Sequence, residues 1–159
     1  MSSNQELSNE DIQKLSTQFQ QLQYQADALS QQLNMVSNSM AESDRAINTI
    51  AGFEGVKDGH EVLIPIGMGT NIMAKLLKPD TVIMEIGAGI STEKDLDDAK
   101  KSLEIQKEEL TKFHQTTQDN LNQITTKMHE IESIVTTAVK AQQADQIAQQ
   151  TNQGPMQGL

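Results

Sequence analysis

The chain has 159 residues, enough for one ordinary domain, yet only 3% of them are aromatic and tryptophan is absent, which excludes a deep globular core. Asp and Glu number 22 against 12 Lys and Arg, a net charge of -10, so the basic surface needed to hold nucleic acid or an anionic membrane is missing. With zero cysteines there is neither a disulfide frame nor a thiolate metal site, and with no apolar run of membrane-spanning length the expected setting is soluble and cytoplasmic.

The first element announces its own start. Ser8 is a good N-cap with Asp11 three residues on, and Leu7 and Ile12 stand at the two staple positions. From Ile12 onward apolar residues recur as Ile12, Leu15, Phe19, Leu22, Ala26, Leu29, Leu33, Val36, Met40, (Ser43), Ile47 and Ile50, a 3-4-3-4 spacing that predicts one strand of a coiled coil over residues 8–51. At about 1.5 Å per residue such a helix is roughly 65 Å long. Gly52 and Gly55, on either side of Phe53, stop it.

The period then changes. Residues 60–93 hold short runs of branched apolar residues, Val62 to Ile66, Asn71 to Leu77 and Thr81 to Ile86, separated by Gly67-Met68-Gly69, Lys78-Pro79-Asp80 and Gly87-Ala88-Gly89, with a short fourth strand from Ile90 to Glu93. Residues 62–70 align with 82–90 at an offset of 20 residues, so a strand ending in a Gly-x-Gly turn occurs twice and predicts two consecutive β-hairpins. Four such strands are too few to be stable alone and leave open edges. Both faces are partly apolar, which suits strands that complete a barrel with neighbouring subunits; Val62, Ile64, Ile66, Ile72, Ala74, Leu76, Val82, Met84, Ile86 and Ile90 are the expected assembly residues.

Asp95, with Asp98 three residues later, opens a second helix expected over 95–141. Its seam reads Leu96, Ala99, Leu103, (Gln106), Leu110, Phe113, (Thr117), Leu121, Ile124, Met128, Ile131, Val135 and Ala138, with a stutter at Phe113, Thr117 and Leu121. Setting Ile50 against Leu96 brings Ile12 opposite Val135, so the two seams match in length and predict an antiparallel two-helix coiled coil with the hairpins at its closed end. The Gln-rich segment 142–159 is expected to be flexible.

The residues Val62 to Gly67, Lys75-Leu76 followed by Pro79-Asp80, Val82 to Ile86, and above all Gly87-Ala88-Gly89-Ile90-Ser91-Thr92-Glu93-Lys94 leading into Leu96-Asp97-Asp98-Ala99 resemble the prefoldin family, specifically archaeal alpha-type subunits, whose two hairpins distinguish them from one-hairpin beta-type subunits. The resemblance covers roughly Ser8 to Val139. It implies an α+β, prefoldin-like fold whose barrel is completed by oligomerisation, in a hetero-hexamer of two alpha-type and four beta-type subunits. It also implies an ATP-independent chaperone that captures nonnative polypeptides at the coil tips and delivers them to a group II chaperonin.

Capture of an unfolded chain needs apolar surface that is not already satisfied. Leu7, Ile12, Leu15, Ile134, Val135, Ala138, Val139 and Ile147 are the candidate contacts at the open end, with Ile134 and Val139 off the seam and therefore the more exposed. Each buried side chain is worth about 1.5 to 3 kcal/mol, so one tip binds weakly and several hold by avidity.

Signals for chemistry do not survive scrutiny. Neither Gly-x-Gly turn leads directly into a helix, and Thr92 stands where a dinucleotide fingerprint needs its third glycine. His60 precedes a strand, while His114 and His129 are too far apart on one helix to chelate a metal. Glu108, Glu109, Glu130 and Glu132 are scattered along an outer face with no pocket to shift their pKa. No enzyme, metal or cofactor is expected. Two other functions fit the same residues: a tethering coiled coil that docks one folded partner, and a subunit that self-assembles into filaments or a homo-oligomer.

Overall fold

A computed structural model describes residues 7–151, and side chains through 148. Six elements follow in order: α1 (Asn9–Gly52), β1 (Glu61–Gly67), β2 (Thr70–Lys75), β3 (Thr81–Gly87), β4 (Ile90–Asp95) and α2 (Leu96–Thr151). Contacts divide the described residues into two units, one formed by residues 7–33 together with 116–151, the other by Asn34 to Gln115.

The first unit is a helix pair. Ser8 caps α1: its hydroxyl oxygen accepts from the Asp11 N–H at 3.2 Å, and Asp11 Oδ2 accepts in return from the Ser8 N–H at 3.2 Å and the Ser8 hydroxyl at 2.7 Å. This reciprocal box satisfies donors that a helix start leaves orphaned. Along the seam Leu33 and Ile131 are buried, and Ile12, Leu15, Phe19, Leu22, Ala26, Leu29, Leu121, Ile124, Met128, Val135 and Ala138 are half-buried. The 3-4 spacing of apolar residues is thus realised as one covered stripe per helix. Gln142 Nε2 donates to the Leu7 carbonyl at 3.4 Å, which sets the two chain directions antiparallel.

The second unit carries the hairpins on a shorter stretch of the same two helices. Val36, Ile50 and Ala99 are buried here, and Lys107 pairs with Asp44 across the helices. Lys100 reaches Glu54 at 3.9 Å. Side chains on a helix lean toward its N-terminus, so Lys107 and Lys100 reach these partners with Ile50 near the level of Leu96, as the apolar spacing predicts. Phe53, half-buried just beyond the end of α1, extends the apolar stripe past Ile50.

The stutter is displaced. Gln106 and Phe113, expected in the seam, are exposed, whereas Lys107 and His114 are half-buried and Thr117 is buried at 3% exposure. The covered positions therefore step Ala99, Leu103, Lys107, Leu110, His114, Thr117, Leu121, and the 4-4 break falls at Ala99, Leu103 and Lys107. Sequence spacing favoured the apolar Phe113 for the seam, but continuity of the stripe from Leu110 to Thr117 turns Phe113 outward.

Each hairpin is a separate two-stranded antiparallel sheet, β1 with β2 and β3 with β4. Val62 pairs with Ala74 and Ile64 with Ile72; Val82 pairs with Lys94 and Met84 with Thr92. The repeat seen in the sequence recurs in the backbone. Met68 (φ 48°) with Gly69 (φ 73°) and Ala88 (φ 51°) with Gly89 (φ 73°) form two-residue turns with both central φ positive, and the ladder slips at Ile66 and at Ile86, beside Gly67 (φ 113°) and Gly87 (φ 115°). Positive φ at both positions matches the right-handed twist of the flanking strands. Beyond β2 the ladder continues, with the Leu76 N–H donating to His60 O at 2.9 Å and the Gly59 N–H to Leu76 O at 2.8 Å.

Asp95 Oδ1 accepts from the Asp98 N–H at 2.7 Å, the cap expected for α2. That helix runs on to Thr151, past the boundary at 141, because Gln and Ala are good helix formers and no Gly or Pro intervenes before Gly154-Pro155. The remainder of the segment expected to be flexible, 152–159, lies outside the described residues.

Candidate functional site

The expected tip residues separate into two sets. Leu7, Ile12, Leu15, Val135 and Ala138 are half-buried, and four of them belong to the seam, so most of their apolar area already has a partner. Ile134, Val139 and Ile147 stand off the seam and are exposed, Ile147 at 66%. Helical geometry explains the division: Ile134 and Val139 are one residue away from seam positions Val135 and Ala138, and a step of one residue is about 100° around the helix.

The hairpins hold the greater share of exposed apolar surface. Ten of the seventeen large apolar side chains exposed among the described residues fall between Leu63 and Ile90. Val62, Ala74, Leu76, Val82 and Met84 are half-buried, whereas Ile64, Ile66, Ile72, Ile86 and Ile90, nearer the turns, are exposed. Leu63, paired with Met73, and Ile83, paired with Glu93, lie on the opposite faces and are also exposed. Those residues were absent from the expected set. Alternation along the strands marks them, since any residue one step from Ile64 or Val82 must point to the other face.

The two hairpins are not equivalent. Hairpin β1–β2 is apolar on both faces over its middle pairs. The outer face of β3–β4 surrounds Ile83 with Thr81, Glu85, Ser91 and Glu93. Thr81 Oγ1 donates to Glu93 Oε1 at 2.9 Å and Lys78 Nζ lies 3.6 Å from the same oxygen, and the hydroxyl bond first, then the ammonium, hold the Glu93 carboxyl below its ordinary range. On the inner face Lys94 Nζ donates to Ser102 Oγ at 2.8 Å, tying β4 to the first turns of α2.

Between the helices of the second unit runs an open groove of about 660 Å³, floored by Ala46, Leu103, Leu110 and Phe113 and edged by Glu42 and Glu109. It is a depression on the flank of the seam, with no enclosed volume in which water could be excluded from a reacting group. Among the described residues no cluster of three or more His, Cys, Asp or Glu is placed to hold a metal ion, and no helix is long and apolar enough to cross a membrane.

The arrangement can therefore offer apolar surface and open strand edges to other chains. A family model described as "Prefoldin subunit" matches residues 22–143. The chain is 40% identical to prefoldin subunit alpha of Methanosarcina barkeri over 68% of its own length and 77% of that protein. It is 35% identical to prefoldin subunit alpha of Methanococcoides burtonii, over 82% of this chain and 94% of that one. In fold it is similar to a chain in the structure of filamentous PFD from Methanocaldococcus jannaschii, with a TM-score of 0.61, 20% identity, and coverage of 72% of this chain and 94% of that chain. Two long helices joined through two β-hairpins, the sequence match across both helices and both hairpins, and alpha subunits as relatives converge on one assignment: the chain belongs to the prefoldin family of chaperone subunits, in its alpha form.

Proposed function

We propose that this protein is a cytoplasmic, ATP-independent holdase subunit that captures nonnative polypeptides through its helix ends and passes them to a group II chaperonin. Ile64, Ile66, Ile72, Ile86 and Ile90, with Val62, Ala74, Leu76, Val82 and Met84 further from the turns, are its assembly surface; neighbouring strands complete a barrel there in a complex of two alpha-type and four beta-type subunits. Ile134, Val139 and Ile147 supply the first contacts with a client. Leu7, Ile12, Leu15, Val135 and Ala138 contribute where the last layers of the pair open.

The observation that carries this reading is the exposure of apolar residues on both faces of β1–β2, Leu63 and Met73 on one and Ile64 and Ile72 on the other. A hairpin in water does not keep such surface without other strands to cover it. Off-seam exposure of Ile134 and Val139 supports the client-binding half. Because burying one aliphatic side chain is worth about 1.5 to 3 kcal/mol, capture by a few such contacts is reversible, as handover requires.

Native mass spectrometry of the complex drawn from its own cell extract, paired with an aggregation assay on several unrelated denatured proteins, tests the proposal. A mixed complex that suppresses aggregation, and loses suppression but not assembly on Ile134→Ser with Val139→Ser, is the expected outcome. A homopolymer by mass would remove the beta-type partners, and protection of one folded protein alone would replace the holdase with a tether.

A further inference from the structure

Beyond the helix ends, the geometry points to a second client-contact site on the flank of the helix pair: the groove around Phe113 takes an apolar side chain flanked by Lys or Arg from a nonnative polypeptide. The inference rests on the holdase reading and names the class of segment that this wall of the protein accepts.

Three features select this groove. First, displacement of the stutter leaves Phe113 outside the seam at 45% exposure in a groove with Leu110 and Leu103, and α1 lines that groove with the small residues Ser39, Ser43 and Ala46 beside Glu42, so an aromatic ring borders a notch that small residues leave unfilled. Second, its charge has one sign. Glu42 and Glu109 line it and no Lys or Arg does, and the only neighbour of Glu42 among the ion pairs is Arg45 at 4.0 Å, both side chains more than 70% exposed. Third, the neighbouring groove lined by Asp44, Glu104, Lys107, Glu108 and Lys112 is also open but mixes both signs, and Lys107 is engaged with Asp44 there, so only the groove at Phe113 presents charge of one sign.

An apolar floor with an acidic rim attracts an apolar side chain with cationic neighbours and repels one with acidic neighbours, and like-charge juxtaposition supplies the discrimination. The whole chain, at -10, pulls in the same direction at longer range. A cationic client segment also suits transient holding, because exposed charge pairs are screened by salt and weaken without any conformational change.

The test uses the assembled complex and two fluorescein-labelled peptides that share a Leu-Phe-Leu centre, one flanked by lysines and the other by glutamates, with binding read by anisotropy. The lysine peptide binds at low salt and the glutamate peptide at least about tenfold more weakly. Phe113→Ser lowers affinity for the lysine peptide about three- to tenfold, Phe113→Leu restores most of it, and the pair Glu42→Gln with Glu109→Gln brings the two peptides to within about twofold of each other. Phe113 is exposed, so these variants keep the helix content of the parent, checked by circular dichroism. Equal binding of both peptides to the unsubstituted complex, or undiminished binding after Phe113→Ser, overturns the inference. Failure of the parent reading looks different: there the unsubstituted complex does not slow aggregation of denatured proteins, whatever the peptides do.

Discussion

At the scale of single residues, the backbone at the hairpin turns and two carboxyl groups decide most. Met68 sits at φ 48° in the first central position of its turn, where Asn or Gly is far better accommodated than an unbranched apolar side chain. Met68→Asn is therefore expected to stabilise the β1–β2 hairpin by about 1 kcal/mol, read as slower hydrogen exchange at Ile64 and Ile72. The turn chemistry of Gly67 is stricter: at φ 113° even Asn is strained, and Gly67→Ala should weaken the hairpin. Asp11 is held below its ordinary range by the Ser8 hydroxyl, then by the Ser8 N–H, with Lys14 adding a smaller pull. Because its folded pKa is depressed, Asp11 contributes stability above the usual carboxylate range, and that contribution fades as pH falls through the lowered folded value. Glu93 follows the same sign. Acidification should fray the start of α1 and loosen β4 before the seam melts, visible as amide exchange rising at Asp11, Ile12 and Glu93 while Ile131 stays protected; simultaneous loss at all four would contradict this.

At the scale of elements, burial rather than residue type ranks the seam. Ile131 is 7% exposed and Phe113 is 45% exposed, although the sequence pattern gave them equal standing. Ile131→Ala should cost about 2 to 4 kcal/mol in thermal or urea unfolding, as a cavity in a narrow stripe cannot relax fully. Phe113→Ala should cost less, about 1 kcal/mol, since nearly half of its side chain is exposed. A larger loss would return Phe113 to the seam and place the stutter at Phe113, Thr117 and Leu121 after all. The pair between Lys107 and Asp44 is half-exposed, and its removal by Lys107→Met should change stability by no more than about 1 kcal/mol, because screening and side-chain entropy offset the attraction. Its value lies in alignment: a charged residue in a covered position is tolerated only where the facing helix sets a partner opposite it.

At the scale of the whole molecule, exposed apolar surface sets what the chain must do with others. Ile64→Lys and Leu63→Lys alter opposite faces of one hairpin. Both are expected to release the subunit from its complex in native mass spectrometry with helix content unchanged. If only Ile64→Lys does so, the Leu63 face is free of neighbours in the assembly and the strands are covered from one side. Removal of apolar groups at Ile134 and Val139 tests the proposed client contacts and should leave assembled mass unaltered while aggregation suppression falls several-fold.

The amino-acid order alone determined the two caps, the heptad stripes, the repeated strand and Gly-x-Gly turn, and so the element order and the family, because each follows from local periodicity and from backbone preferences of Ser, Asp and Gly. It also marked Ile134 and Val139 as exposed, since their offset from Val135 and Ala138 is a property of the helix itself. What only the tertiary structure decided is which of two adjacent residues faces the partner helix between Leu103 and Thr117, and how exposed Leu63, Met73 and Ile83 are. Those outcomes depend on competition between distant residues: Lys107 finding Asp44, and His114 taking the covered position that the aromatic Phe113 would have been expected to take. A pattern of spacings does not contain that competition, because it records what each residue prefers and not what stands opposite it.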